Sequence, residues 1–520
     1  MSRRRYPAGV QDFESIIKDG FVYVDKTEYI YNLANTSGNA IFLGRPRRFG
    51  KSLLCSTMKH YFLGHKELFE GLAMEKLEKN WTEYPVLHFD MSNCKSDDID
   101  EVRSNLDLLI RKYEKQYGCE ARDLGYGARL QQLIETAHQR TGNRAVLIFD
   151  EYDSPVLNVI DNPEKMDAIR SIYNSFYTPV KALGEHIRFL FITGITKFSQ
   201  MSIFSTINHL SNISMEKEWE GLCGITAQEL ESDFQPELDA LAREYNTTSE
   251  GALQLLRDRY DGYHFGPGKL DVYNPFSLVN AFRSMMLEDY WFGSATPSAL
   301  IKILDKYNFQ LSDIENTQLF RSDFDQPFDN MDSAIPILYQ SGYLTVKDYD
   351  FESRIYTLGI PNQEVHSGLY RTLMPRYLNS STSENRSLLM LVKKAMIDDD
   401  IDAALTAAQS YLSALPYDLS NKTERDFETL LRVMFDCIGI ETMTEVKSSR
   451  GRCDVVMKNR NTIYVLELKI SSSATVDEAL AQINERDYLI PYWNDPRRKV
   501  KVGVTVNPDT RTIGEWKVVE

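Results

Sequence analysis

Residues 42–54 read FLGRPRRFGKSLL, and the fold of the first half of the chain turns on what this stretch is. Gly50-Lys51-Ser52 is how a phosphate-binding loop ends, yet such a loop ordinarily carries a glycine five residues before Gly50. Arg45 holds that position, and Gly44 stands one residue too early. A phosphate loop needs a strand before it, outward-pointing backbone N–H groups within it, and a helix N-terminus facing the phosphates. Asn39–Leu43 reads as a short buried strand. From Ser52 onward, SLLCSTMKHYFL reads as a helix with Leu53, Leu54, Met58, Tyr61 and Phe62 as its apolar stripe. In that setting Gly44 and Gly50 frame the loop, Lys51 is expected to reach the β- and γ-phosphates of ATP, and Ser52 is a candidate Mg²⁺ ligand.

A second stretch supports this reading. Arg144–Phe149 is a run of apolar residues after its arginine and ends in Asp150-Glu151. A buried parallel strand explains the apolar run but not two acids at its C-terminal end. A nucleotide-hydrolysing site explains both: Asp150 would hold the Mg²⁺ water shell and Glu151 would act as general base on the attacking water. The expected geometry places Asp150 on the strand next to the loop strand, within water-bridged reach of a Mg²⁺ beside Ser52. Pro85–Asp90 reads as a further strand between the two motifs. Ile187–Gly194 reads as another, with Thr193 at its end a candidate γ-phosphate sensor or a plain strand cap.

The chain has 520 residues and a formal net charge of −16, with 42% hydrophobic and 26% charged residues. That length predicts several domains, and the composition excludes wholesale disorder and fibrous repeats. Residues 421–520 carry 16 basic and 16 acidic side chains, so the remaining chain bears the whole negative charge. An acidic body argues against a general nucleic-acid coat while leaving room for a local basic strip. The six cysteines are scattered without CxxC pairs and read as reduced and buried. The N-terminus is basic without an apolar core, and no run is long enough to span a membrane, so the expectation is a cytoplasmic protein with no membrane partner.

With these motifs in hand, the sequence resembles the bacterial and archaeal AAA-ATPase-like family that carries RPRRFGKS as its phosphate loop. The resemblance also rests on Tyr23-Val-Asp-Lys26, Asp150-Glu-Tyr-Asp153, Thr193-Gly-Ile-Thr-Lys-Phe198, Tyr260-Asp-Gly-Tyr-His-Phe265 and Tyr273-Asn-Pro-Phe276. It makes the arginine at position 45 a family trait. Pro46 removes one N–H from the cradle, and Arg47 and Arg48 are expected to offset this with positive charge. The YDGYHF turn around His264 reads as aromatic packing rather than a nucleotide contact.

The fold expected is multidomain α/β: an AAA-like P-loop ATPase domain over 1–215 (a parallel sheet with helices), a helical lid over 216–300, and a winged-helix-like region over 301–378. A linker and connecting helices follow over 379–415, with Asn379–Ser387 as the linker and Pro416 closing the helical part. Asp348, Asp350 and Glu352 in the wing disfavour phosphate contact, so that region is read as packing.

The final segment, 416–520, holds a different constellation. Arg425–Phe435 reads as an amphipathic helix carrying Glu428. A strand with Asp454 at its start follows, then Thr462–Ile470 with Glu467 and Lys469 on one face by strand period two. The next helix carries Gln482 and Tyr488. Two carboxylates, Asp454 and Glu467, with Lys469 beside them are what a Mg²⁺-dependent phosphodiesterase needs. The competing reading is a charged sheet edge. Glu428, Asp454, Glu467-x-Lys469 and Gln482 together resemble the PD-(D/E)XK nuclease superfamily. The resemblance implies ATP and Mg²⁺ (or Mn²⁺) as cofactors and DNA as partner, in defence against foreign DNA or mobile-element biology, with homo-oligomerisation left open. The alternative is an ATP-dependent switch whose nuclease-like domain binds without cutting.

Overall fold

The computed structural model describes residues 4–35, 38–119, 123–160, 162–196, 210–294, 304, 307, 309, 314, 317–324, 333–378, 383–413, 424–448, 450–510 and 512–520. The chain forms two compact units, residues 1–364 and 365–520. Lys197 and Phe198 of the TGITKF motif, Pro416, and Asn379–Thr382 of the expected linker lie outside the described residues.

The first unit is built on five parallel strands: β1 (Ala40–Gly44), β2 (Val86–Asp90), β3 (Ala145–Asp150), β4 (Ile187–Gly194) and β5 (Ser211–Asn212). Their order across the sheet is β2-β3-β4-β1-β5. All six residues of β3 are buried, which is why it reads as an unbroken apolar run. One expectation is corrected here. Asp150 is not on the strand next to the loop strand, because β4 lies between: it pairs with β1 through Leu43↔Thr193 and with β3 through Phe149↔Ile192. The apolar run Phe189–Ile192 is almost wholly buried, as its inserted position demands.

The helix Lys51–Phe62 follows β1, capped by Gly50 in the left-handed region at φ 87°. Leu54, Met58, Tyr61 and Phe62 are buried as the stripe predicts, whereas Leu53 faces the cavity described below. Beyond the sheet, helices Ala227–Asp233, Gln235–Glu244, Ser249–Tyr260 and Pro275–Ser284 pack around Phe234, Leu241, Tyr260 and Phe282. Val22 from the N-terminal segment joins that core. A two-stranded ribbon, β6 (Ile225–Thr226) with β7 (Val272–Tyr273), closes this layer. A small antiparallel sheet follows, β8 (Gln318–Leu319), β9 (Thr345–Asp350) and β10 (Ile355–Gly359), in the order β8-β10-β9, with helix Ile335–Gln340 between β8 and β9 in the chain.

The second unit carries the mixed sheet β11 (Glu441–Ser448), β12 (Gly451–Lys458), β13 (Thr462–Ile470), β14 (Arg498–Asn507) and β15 (Thr512–Val519), in that spatial order. Only β13 and β14 run parallel. Helix Glu424–Cys437 packs on β11–β13, and helix Val476–Glu485 on β13 and β14.

Two further expectations change in this unit. The stretch read as a linker is already helical from Ser383, and helices Ser383–Ile397 and Ile401–Ser413 continue it. The turn between them is tied to the sheet: Thr462 Oγ1 and Tyr464 Oη donate to the Asp399 carboxylate at 2.6 and 2.7 Å. Tyr488 lies beyond the Gln482 helix, which ends at Glu485 before a turn with Asp487 at φ 52°. Among the described residues no helix is long and apolar enough to cross a membrane. Cys55, Cys94, Cys119, Cys223 and Cys453 are unbridged and buried.

Candidate functional sites

Arg45, the residue where a glycine was expected, does not face the phosphate side. Its side chain is 1% exposed and runs behind the loop. The guanidinium donates to the carbonyls of Gly44 (2.9 Å), Ser214 (2.6 Å) and Trp219 (2.9 Å) and lies 4.3 Å from the Phe265 ring centroid. A side chain thus fills space that a glycine would leave open, and it pins the loop to the segment after β5. On the same side Phe49 packs edge-on against Tyr263 and Phe265, so the YDGYHF turn is aromatic packing, as read from the sequence.

The opposite face of the loop opens into a cavity of about 460 Å³. Arg47, Arg48, Gly50, Lys51, Ser52 and Glu151 line it together with Ser92, Lys95 and the chain segments Pro7–Gln11 and Pro275–Phe276. Arg48 (φ 66°) and Gly50 (φ 87°) both adopt left-handed backbone, the geometry that turns successive N–H groups toward one point. The Lys51 ammonium donates to the carbonyls of Arg45 (3.0 Å) and Pro46 (2.9 Å), which sets it across the loop. Trp291 Nε1 donates to the Arg47 carbonyl at 3.0 Å, a positioning contact that the sequence reading missed. A smaller apolar annex of about 120 Å³ shares Pro7, Gly50, Leu53, Pro275 and Val279 with the main cavity and adds Val22, Leu222 and Ile225.

Of the two acids Glu151 lines the cavity, whereas Asp150 is not among its lining residues. Asp150 is 2% exposed, and burial pushes its carboxyl up to about 6, against hydrogen bonding from Ser52 and the charge of Lys51. Ser52 and Asp150 are thereby brought together across the intervening β4. Glu151 sits in the left-handed region at φ 49°, an uncommon and strained backbone for a glutamate. Thr193 is fully buried, and its hydroxyl has no hydrogen-bond partner in the structure. It is not among the residues lining the cavity.

Asp153, the last acid of the DEYD motif, has a role that the sequence reading did not assign. Its Oδ2 accepts from Ile195 N–H (2.9 Å), Thr196 N–H (2.7 Å) and Thr196 Oγ1 (2.9 Å). Tyr152 Oη donates to the Thr196 carbonyl at 2.8 Å. The second half of the acidic motif therefore holds the chain leaving β4 in place. The third acid, two residues after Glu151, was the signal available for it.

In the second unit the register Val455↔Leu466 carries Asp454 opposite Glu467 one residue further along the same pair. Asp454 Oδ2 accepts from Leu468 N–H at 2.7 Å, which locks its carboxylate against the β13 backbone. Lys469 Nζ donates to Glu467 Oε1 at 2.9 Å, and Gln482 Nε2 reaches the same oxygen. Tyr488 Oη donates to the Arg452 carbonyl at 2.6 Å and is in turn 3.4 Å from Gln482 Nε2. Glu467 is fully buried, and its Oε2 has no hydrogen-bond partner in the structure. Burial, then the Asp454 charge, pushes its carboxyl up to about 7, with Lys469 opposing. Glu428 is 5% exposed on its helix and lies within electrostatic reach of Cys453, beside Asp454. Asp454, Glu467, Lys469 and Gln482 converge as the sequence reading expected, with Glu428 close by. The charged-edge reading does not fit, because β13 is interior to the sheet and buried over its first seven residues.

Fold and geometry together define a parallel-sheet P-loop ATPase-like unit followed by a small nuclease-like unit. The profile of the predicted AAA-ATPase family matches residues 7–204, and that of the PD-(D/E)XK nuclease superfamily matches residues 422–516. An uncharacterised protein from the vnfD 5' region of Azotobacter chroococcum mcd 1 is 30% identical over 526 residues, covering 99% of this chain and 98% of that protein. The chain belongs to the predicted AAA-ATPase family and carries a PD-(D/E)XK nuclease superfamily domain over residues 422–516.

Proposed function

We propose that the first unit binds and hydrolyses ATP and that its nucleotide state governs metal-dependent cleavage of DNA by the second. One observation in each unit carries the reading. In the first, a single cavity gathers Lys51, Ser52, Glu151 and two arginines at a helix N-terminus. In the second, two carboxylates face each other across a strand pair beside Lys469, and one of their buried oxygens lacks a partner.

In the first unit Lys51 and the loop N–H groups neutralise phosphate charge, Arg47 and Arg48 add positive charge at the mouth, and the apolar annex is of a kind to receive the base. Glu151 takes the proton from the attacking water. Ser52 and Asp150, both oxygen donors, fit Mg²⁺, and so do Asp454 and Glu467 in the second unit. Mg²⁺ (or Mn²⁺) at these places would neutralise developing charge on phosphoryl oxygens and lower the pKa of a bound water. Gln482 holds the Glu467 carboxylate in one orientation, and Lys469, held by Glu467, orients the attacking water. The lid (216–300) and winged-helix-like (301–378) segments are assigned the relay between units.

The deciding experiment incubates the full chain with single- and double-stranded DNA and RNA, with Mg²⁺ or Mn²⁺, with and without ATP. Cleavage that Asp454→Ala abolishes supports the reading. A chain that cuts nothing under any of these conditions, and whose Asp454→Ala variant binds cations like the parent, is a switch and not a nuclease.

A further inference from the structure

On the helix side of the sheet, just behind Asp150, three side chains of different chemistry meet. Cys55 is on the loop helix one turn after Ser52, His88 is in the middle of β2, and Asp150 ends β3. The parallel register Asp90↔Asp150 and His88↔Ile148 puts His88 and Asp150 on one face of neighbouring strands. The loop helix packs on both strands, which brings Cys55 to them. Sγ, a ring nitrogen and a carboxylate oxygen all lie within 4.8 Å of one another.

What they do not do is satisfy each other. His88 Nε2 and Asp150 Oδ1 are both buried and without a hydrogen-bond partner in the structure. A buried polar atom without a partner is costly, and two of them on residues clustered around one thiol call for a common partner. Donor atoms that all lie within 4.8 Å of one another fit the span across one metal held at ~2.0–2.3 Å by sulfur, nitrogen and oxygen.

We propose that Cys55, His88 and Asp150 form a binding site for a soft divalent cation of the Zn²⁺ type, distinct from the Mg²⁺ position at Ser52. Thiolate plus imidazole selects against Mg²⁺, which prefers oxygen donors. On binding, the Cys55 thiol, which burial keeps protonated in the free protein, releases its proton to solvent and the sulfur bonds the metal. His88 binds through the neutral ring, as burial holds its pKa down to about 4. Three protein ligands leave a fourth position for water. Asp150 is shared between the two positions, so occupancy of the soft-metal site withdraws it from Ser52 and stops ATP turnover. That last consequence rests on the ATPase reading; the binding itself does not.

Co²⁺ added to the full-length protein gives the test. One equivalent should produce a thiolate-to-cobalt charge-transfer absorption that Zn²⁺ displaces. The band should vanish in Cys55→Ala and weaken in His88→Gln, with metal affinity on the order of a hundredfold lower. Zn²⁺ should inhibit ATP turnover of the parent protein, while Cys55→Ala keeps metal-free turnover and loses the inhibition. Absence of a thiolate band, or a band unchanged in both variants, overturns the site. If the band behaves as stated but no preparation hydrolyses ATP, the site stands and the ATPase reading falls. Should Cys55→Ala not fold, Cys55→Ser and His88→Gln carry the same comparison.

Discussion

Arg45 Nη2 donates to the carbonyl of Trp219 at 2.9 Å, 174 positions along the chain, so the residue that breaks the ordinary loop pattern is a structural tie. Restoring the pattern with Arg45→Gly should therefore harm the protein. The substitution strands the Gly44, Ser214 and Trp219 carbonyls and opens a void beside Phe265. A loss of roughly 2–4 kcal/mol in the stability of the first unit is expected, read as a lower denaturation midpoint. An unchanged midpoint would contradict the assignment.

The loop lysine and the strained acid should separate cleanly. Lys51→Ala removes charge that acts on bound phosphate and should abolish nucleotide binding, whereas Glu151→Gln should bind ATP and fail to turn it over, since its role is confined to the attacking water. Equilibrium binding of a fluorescent ATP analogue alongside phosphate release measures both. Equal affinity in the Lys51 variant and the parent would dismiss the phosphate-loop assignment.

Asp153→Ala is expected to behave differently from either. It leaves the buried N–H groups of Ile195 and Thr196 without their acceptor and loosens the chain leaving β4. The expected result is a loss of about 2 kcal/mol in stability and slower turnover, with nucleotide affinity largely kept. Asp153→Asn, which keeps one acceptor oxygen, should recover part of both.

Much of this was legible in the sequence, and the limits have physical causes. The loop, the Asp150-Glu151 strand end and Asp454…Glu467-x-Lys469 are local patterns set by strand and helix periods. Each held in place. The insertion of β4 between β1 and β3 was not legible, because strand order along the chain does not fix pairing across the sheet. Nor was the direction of Arg45, whose partners Ser214 and Trp219 are distant in sequence. Tyr488 was read as part of the Gln482 helix, but the chain turns at Asp487 and delivers the hydroxyl from a loop. The helices after Ser383 read as a connector because the polar start of that stretch hid their attachment through Asp399.

Glu467 makes the second site sensitive to pH. Its carboxyl titrates near 7 in the metal-free fold against 4.5 in the unfolded chain, so the fold binds the extra proton between those values. Its contribution to the stability of the metal-free fold is full below about pH 4.5 and is lost as pH rises toward and through 7, by up to about 3 kcal/mol. Cation binding runs the other way, because a ligand must be ionised. Mn²⁺ affinity should climb between pH 6 and 8, and Glu467→Gln should flatten both profiles. Calorimetric Mn²⁺ titrations across that range check the sign.

The position of β4 has a mechanical consequence. Leu43↔Thr193 on one side and Phe149↔Ile192 on the other join the loop strand to the acidic strand through a continuous backbone ladder. The base of the cavity is a single stiff slab. Its rim is built separately, for Pro7–Gln11, Pro275, Phe276 and Val279 reach the opening from outside that ladder. Nucleotide entry and departure then belong to the rim. Amide exchange should report this as slow, ligand-independent protection along β1, β3 and β4 and ATP-dependent protection at Pro7–Gln11 and Phe276–Val279.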